Sequence, residues 1–132
     1  MRQLDSRTFV SGQIRAEEIA ALPPGIATIV NNRPDGEEPG QPPSAEIAVA
    51  AAAAGIAYRH IPVAGGFSEA QLAEMAELLE GPGGLLAFCK SGTRSTFLWA
   101  LAEARRGADP DRLAEQAAAA GYDLAPIMGW LR

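Results

Sequence analysis

The chain of 132 residues has few of the residue types that build disulfides and metal sites, with one cysteine and one histidine. A single cysteine can form no internal disulfide, which predicts a protein of a reducing compartment. One histidine and one cysteine also fall short of the ligand set of a structural zinc site, so we expect no metal.

Long apolar runs and an excess of basic residues are also missing. No segment reaches the roughly 18 apolar residues of a membrane helix, and the first residues lack the apolar stretch of a secretory signal. Eleven lysines and arginines stand against 16 acidic residues, for a net charge of −5. This balance argues against a broad nucleic-acid surface but allows a local cationic pocket. We therefore expect a cytoplasmic protein whose partners are neither membranes nor nucleic acids.

What is present is a regular alternation of strand-like and helix-like segments within one expected domain, residues 1–132. β-branched and apolar runs predict strands at residues 9–14, 26–31, 57–61 and 85–88. Capping residues, glycine stops and helical periodicity predict helices at residues 16–22, 44–54, 68–80, 95–106 and 109–120. The pattern predicts a three-layer α/β fold with a mainly parallel sheet of four to five strands and helices on both faces.

The only cysteine follows an apolar strand and precedes a short loop of small residues, Cys89-Lys90-Ser91-Gly92-Thr93-Arg94-Ser95. Backbone N–H groups of such a loop and of the next helix N-terminus converge on one spot and favour negative charge there. A helix N-terminus and a neighbouring cation favour the reactive thiolate over the thiol. Cys89 is therefore the predicted nucleophile and Arg94 the predicted anion clamp.

Other residues near the predicted loop have two interpretations each. Lys90 either raises the local potential or is simply solvated. Ser95 and Thr96 either donate a hydrogen bond to the sulfur or cap the helix, and capping is the favoured role for Ser95. Arg33 either lines the pocket or locks its own loop through an ion pair with Asp35. We expect a structural role for His60. Trp130 is either a lid or a core residue. The remaining candidate anion-binding residues are Ser91, Gly92 and Thr93.

These residues carry a family resemblance that spans almost the whole chain. The matching segments are Ser11-Gly12-Gln13-Ile14, Asn31-Asn32-Arg33-Pro34-Asp35, Ile61-Pro62-Val63, Cys89 to Ser95 and Ala120-Gly121-Tyr122-Asp123-Leu124. In these segments the chain resembles the phosphatase-like domain of bacterial beta-lactamase-hydrolase-like proteins. The resemblance implies a cysteine-phosphatase fold and a link to sulfide detoxification, often beside a persulfide dioxygenase.

Two departures from the cysteine-phosphatase pattern favour sulfur chemistry. Four residues separate Cys89 from Arg94, as in the loop of single-domain rhodaneses, whereas tyrosine and dual-specificity phosphatases place five there. The segment after the third predicted strand, residues 62–67, also lacks the aspartate that protonates the leaving oxygen in those phosphatases. Such help is worth about 10²–10⁴-fold in rate. Asp35 or Glu37 could supply that proton from another loop.

The favoured interpretation is thus a sulfurtransferase that carries sulfane sulfur as a Cys89 persulfide, taken from thiosulfate or a persulfide. It requires no metal or organic cofactor. The alternative is a phosphoester hydrolase with a phosphocysteine intermediate. A third possibility is a non-enzymatic module that binds anions or senses persulfides through Cys89.

Overall fold

A five-stranded sheet lies at the centre of the computed structural model, which describes residues 1–132. Its strands are β1 (Arg2–Gln3), β2 (Thr8–Ser11), β3 (Ile26–Asn31), β4 (Ala57–His60) and β5 (Gly84–Phe88). The strand order is β1-β2-β5-β3-β4, with β1 antiparallel to β2 and all other neighbours parallel. The predicted α/β fold with a mainly parallel sheet is confirmed. Strand β1 was not predicted, because two exposed residues carry no strand pattern.

Helices cover both faces of the sheet, as expected. They are α1 (Ala16–Ile19), α2 (Ser44–Ala53), α3 (Glu69–Leu79), α4 (Thr93–Arg105), α5 (Pro110–Ala119) and α6 (Met128–Leu131), with a 3₁₀ turn at Ala125–Ile127 before α6. Apolar residues of α1 and α2 form one buried cluster on one face. A larger cluster unites α3, α4, α5 and α6 on the other face. None of the helices combines the length and apolar character needed to cross a membrane.

The central strand β5 brings the cysteine to the carboxyl edge of the sheet. Residues Leu85 to Cys89 are almost completely buried, as expected for a parallel strand covered on both faces. Phe88 is in register with Ser11 of β2 and with Asn31 of β3. The loops that follow these three strands therefore begin side by side, at the edge where ligands of α/β proteins bind.

Two helices are capped differently from the sequence prediction, which expects Ser95 or Thr96 to cap α4 and Ser44 to cap α2. Helix α4 begins at Thr93, with Gly92 as its N-cap, so Ser95 lies inside the first turn and does not cap it. Ser44 is the first residue of α2, and Pro43 occupies the N-cap position. The Ser44 N–H instead donates to the Asp35 carboxylate at 2.8 Å. A carboxylate nine residues upstream thus caps α2, and sequence spacing alone does not reveal such a contact.

Replacing Asp35 tests this long-range cap. We expect Asp35→Ala to lower the free energy of unfolding by about 1 kcal/mol, the usual cost of losing a cap. Asp35→Asn retains an acceptor oxygen and should lose less than half of that. Urea unfolding followed by circular dichroism measures both variants. Equal stability of Asp35→Ala and the unmodified protein would contradict the assignment.

Candidate active site

Cys89 lies at the bottom of a loop that folds around its sulfur. The side chain is fully buried, and the Gly92 N–H donates to Sγ at 3.1 Å. Gly92 has φ of +92°, a left-handed conformation that side-chain-bearing residues rarely adopt. The left-handed conformation of Gly92 therefore points its own N–H group at the Cys89 sulfur.

The same loop leaves a set of backbone donors unused. The N–H groups of Lys90, Ser91, Arg94 and Ser95 donate to no acceptor within the chain. The Thr93 N–H makes only a long contact of 3.5 Å with Ser91 Oγ. Unused donors at a loop and a helix N-terminus are the usual means of binding an oxyanion.

Arg94 is held rigidly beside this loop by acceptors on two other loops. Its Nη1 donates to Glu37 Oε2 at 2.7 Å and to the Val63 carbonyl at 2.9 Å, and its Nη2 donates to Glu37 Oε1 at 2.9 Å. The pKa of Arg94 is raised, chiefly by the hydrogen bonds to Glu37 and also by the nearby Cys89 sulfur, while burial opposes the rise. Glu37 and Val63 engage the Nη groups, and Nε makes no hydrogen bond to a nitrogen or oxygen acceptor of the chain. The Cys89 sulfur lies close enough to interact with the guanidinium. The Nε edge of the guanidinium therefore stays available for an oxyanion.

Arg33 belongs to the loop of residues 32–43 between β3 and α2, here called the acidic loop because it carries Glu37 and Glu38. Its contacts stabilise that loop. Its side chain is 4% exposed and pairs through Nε with Glu37 at 2.9 Å and through Nη2 with Glu38 at 2.6 Å. The predicted ion pair of Arg33 with Asp35 is wrong, because the Asp35 carboxylate instead caps α2. Lys90 is exposed, and its Nζ lies 3.4 Å from Glu38 Oε1. All three predicted cations thus pair with Glu37 or Glu38, and Arg94 is the one that also interacts with the Cys89 sulfur.

Buried hydrogen bonds fix the first turn of α4 to the neighbouring strand. Ser95 Oγ donates to Asn32 Oδ1 at 2.8 Å, and Asn32 Nδ2 donates to the Ile61 carbonyl at 3.0 Å. The side chain of Ser95 thus serves packing, which leaves its backbone N–H as its possible anion contact. Thr96 Oγ1 likewise donates to the Gly92 carbonyl at 2.8 Å. The bonds of Asn32 therefore connect the first turn of α4 with the segments that follow β3 and β4.

The predicted histidine and loop residues take structural positions. The His60 ring lies 2.9 Å from the Arg33 carbonyl through Nε2, consistent with the structural role expected for it. Ser91 Oγ donates to Thr93 Oγ1 at 3.1 Å. Tyr122, which sequence reasoning did not assign to the site, donates its hydroxyl to the Ser91 carbonyl at 3.1 Å. Burial raises the pKa of Tyr122, and so does the nearby Cys89 sulfur.

Neither acidic residue considered as a proton donor is placed for that role. Asp35 accepts the α2 cap hydrogen bond. The hydrogen bond from Arg94 lowers the pKa of Glu37 to about 2, with Arg33 adding to the effect against the opposing desolvation. At neutral pH Glu37 is therefore ionised and carries no proton to donate. Its contacts make it a positioning residue for Arg94.

Comparisons with known proteins agree with this architecture. A family model described as the phosphatase-like domain of beta-lactamase hydrolase-like protein matches residues 1–106. The chain belongs to this family. A beta-lactamase hydrolase-like protein of Xylella fastidiosa (strain Temecula1) is 38% identical over 133 aligned residues, which cover 98% of this chain. The match covers only 31% of that relative's length, so the chain spans about a third of it.

Solved structures extend the comparison to the fold. A phosphatase candidate from Neisseria meningitidis Z2491 is 34% identical with a TM-score of 0.81, and the match covers 98% of this chain and 94% of that one. The active form of the protein named Tk-PTP is 20% identical with a TM-score of 0.71, over 98% of this chain and 91% of that one. The latter likeness supports the cysteine-phosphatase fold only.

The turn at Gly92 generates a stability prediction. A Cβ at Gly92 would lie 2.9 Å from Tyr122 Cζ, whereas Gly107, with φ of +100°, has no atom within 4 Å of the Cβ position. We expect Gly107→Ala to lower the free energy of unfolding by about 1 kcal/mol through backbone strain alone. Gly92→Ala should cost at least about twice as much, because the strain and the collision add. Urea unfolding compares the two variants, and equal losses would contradict the close packing of Tyr122 on the loop.

The depressed pKa of Glu37 generates a prediction for acid stability. A carboxyl group whose pKa is lower in the folded state than in the unfolded state stabilises the fold at pH values above its unfolded-state pKa. This contribution is lost as the pH falls to the folded-state pKa. We expect stability to fall as the pH drops from about 4.5 to about 2, and Glu37→Gln should flatten this part of the curve. Glu74→Gln on α3 is the control, since Glu74 makes no ion pair. Parallel pH profiles for the unmodified protein and Glu37→Gln would contradict the role of this pair.

Proposed function

We propose that this domain hydrolyses phosphate monoesters through a phosphocysteine at Cys89. The observation that carries the proposal is the ring of unused donors around a buried sulfur, namely the loop N–H groups and Arg94 Nε. An oxyanion bound by these donors would lie next to Cys89, because the donors and the cysteine are at most six residues apart in the chain. Membership of a phosphatase-like family supports the same chemistry.

The reaction proceeds in two displacements. The Cys89 thiolate attacks phosphorus, an S–P bond forms, and the ester P–O bond breaks as the alkoxide or phenoxide leaves and takes a proton from solvent. Water then attacks phosphorus of the phosphocysteine and loses a proton to solvent, the S–P bond breaks, and inorganic phosphate departs with regeneration of the thiolate. Throughout, the loop N–H groups and Arg94 stabilise the charge on the non-bridging oxygens.

The absence of a positioned acid limits the substrates of this reaction. Residues Pro62 to Phe67 contain no carboxylate, and Glu37 is ionised. The leaving oxygen must therefore depart with little or no protonation by the protein. Monoesters with weakly basic leaving groups, such as phenols, are the favoured substrates, and alkyl monoesters are disfavoured.

Sulfur transfer is the second candidate, favoured by the four-residue spacing between Cys89 and Arg94 and by the same missing acid. In this reaction the thiolate attacks the outer sulfur of thiosulfate, the S–S bond breaks, sulfite leaves, and a persulfide remains on Cys89. An acceptor such as cyanide then removes the sulfur. A small anionic sulfur donor and a persulfide dioxygenase partner belong to this candidate, and persulfide sensing without turnover is its non-enzymatic form.

Parallel turnover assays separate the candidates. We expect hydrolysis of p-nitrophenyl phosphate, slower hydrolysis of phenyl phosphate and hardly any of alkyl phosphates. Cys89→Ser should abolish the activity, and Arg94→Lys should reduce kcat/KM by at least about 10²-fold, because a lysine cannot supply the forked donors. Efficient thiosulfate-to-cyanide transfer without phosphate release would reject the phosphatase proposal in favour of the second candidate.

A further inference from the structure

An open cleft of about 740 Å³ adjoins Arg94 on the side away from the acidic loop. Its lining residues on α4 include Phe97 and Leu101, which share one face of that helix with Arg94. Leu72 of α3 and Ile127 before α6 also line it. The lining is mainly apolar, and the volume lies within the range of about 300–1,000 Å³ typical of small-molecule sites.

Arg94 is the one residue that belongs to the proposed anion site and also lines the cleft. Its Nη1 donates to the carbonyl of Val63, another lining residue, at 2.9 Å. A molecule whose anionic group binds Arg94 can therefore place its remaining atoms in the cleft.

Aromatic side chains line the cleft beyond Arg94. Phe67 and Phe97 pack edge to face, with ring centroids 6.5 Å apart. Trp130 of α6 lines the cleft and is 80% exposed, whereas the other tryptophan, Trp99, is 1% exposed and belongs to the core. Of the two options for Trp130, the core position is therefore wrong. An exposed indole beside a concave apolar surface is a ready contact for an apolar ring.

Three charged residues line the cleft. They are Arg94, directly after the anion loop, and Arg105 and Glu69, which form an ion pair with each other. The cleft thus offers a cation, Arg94, next to the Cys89 loop and a mainly apolar lining beyond it. This arrangement is complementary to a molecule that joins one anionic group to one apolar group. A flat protein surface would leave the concave part of this cleft unfilled.

We propose that this cleft is the subsite for a bulky apolar group, preferably an aromatic ring, attached to the anionic group of the substrate, and that Trp130 sets this preference. The proposal rests on the proposed function, since it requires the anion to bind on the Cys89 loop. Trp130 belongs to α6, so the proposal places this preference in the C-terminal helix.

Binding of non-hydrolysable phosphonates tests the subsite without requiring turnover. Benzylphosphonate and methylphosphonate are titrated into the unmodified protein by calorimetry. We expect benzylphosphonate to bind at least about tenfold more tightly, the gain expected from burying one face of a phenyl ring. With excitation at a wavelength that the benzyl ring does not absorb, tryptophan emission should shift to the blue with benzylphosphonate only.

Three variants locate the effect. Trp130→Ala should reduce the benzyl preference to about twofold or less while leaving methylphosphonate affinity unchanged, and Trp130→Phe should retain part of the preference. Val49→Ala, at another exposed apolar residue that does not line the cleft, should retain all of it. Because Trp130 is exposed, the substitutions should leave the fold intact.

The possible results separate failure of the subsite from failure of the proposed function. Equal affinity for the two phosphonates, or a benzyl preference that survives Trp130→Ala, would overturn the subsite while leaving the anion site standing. Failure of both phosphonates to bind would overturn the anion site and the subsite with it. A Trp130-dependent dimer in sedimentation velocity would show that a second copy covers the cleft, and would also overturn the proposal.

Discussion

The hydrogen bond from the Gly92 N–H to the Cys89 sulfur is the contact on which the rest of the site depends. It requires a left-handed turn directly after the central strand, and that turn starts α4 two residues before the predicted position. The early start places the free N–H groups of Arg94 and Ser95 in the first turn of α4. If the turn opened, Arg94 would lose its position relative to Cys89, because Gly92 is the N-cap of the helix that carries Arg94.

Glu37 and Glu38 partly neutralise the positive charge of the arginines around the site. Glu37 accepts from Arg94 through both carboxylate oxygens, and Arg33 forms ion pairs with Glu37 and Glu38. A guanidinium held in this way loses less conformational freedom when it binds an anion. The cost is a partial neutralisation of the attraction for that anion. The site therefore relies on directed hydrogen bonds more than on net positive charge, in keeping with an acidic protein.

Much of the fold follows from local sequence patterns, but only part of the site does. Buried runs such as residues 26–31 and 85–88 predict parallel strands, and loops after parallel strands meet at one edge. The choice of Cys89 as proposed nucleophile and of Arg94 as its anion-binding partner follows from the residues of the Cys89 to Arg94 segment in the same way. The partners of Arg33 and Arg94 could not be predicted, because several carboxylates of one loop compete and only the folded backbone selects among them. The same holds for Asp35 and for Tyr122, whose contacts join distant segments.

The covalent state of Cys89 during turnover tests the central claim most directly. The domain is mixed with p-nitrophenyl phosphate, quenched rapidly in acid and analysed by intact mass spectrometry and peptide mapping, with thiosulfate in a parallel sample. The account predicts an adduct of one phosphoryl group on Cys89 that is absent from Cys89→Ser. Turnover of the ester without such an adduct would contradict the account, and so would an adduct of one sulfur atom from thiosulfate with no phosphoryl adduct.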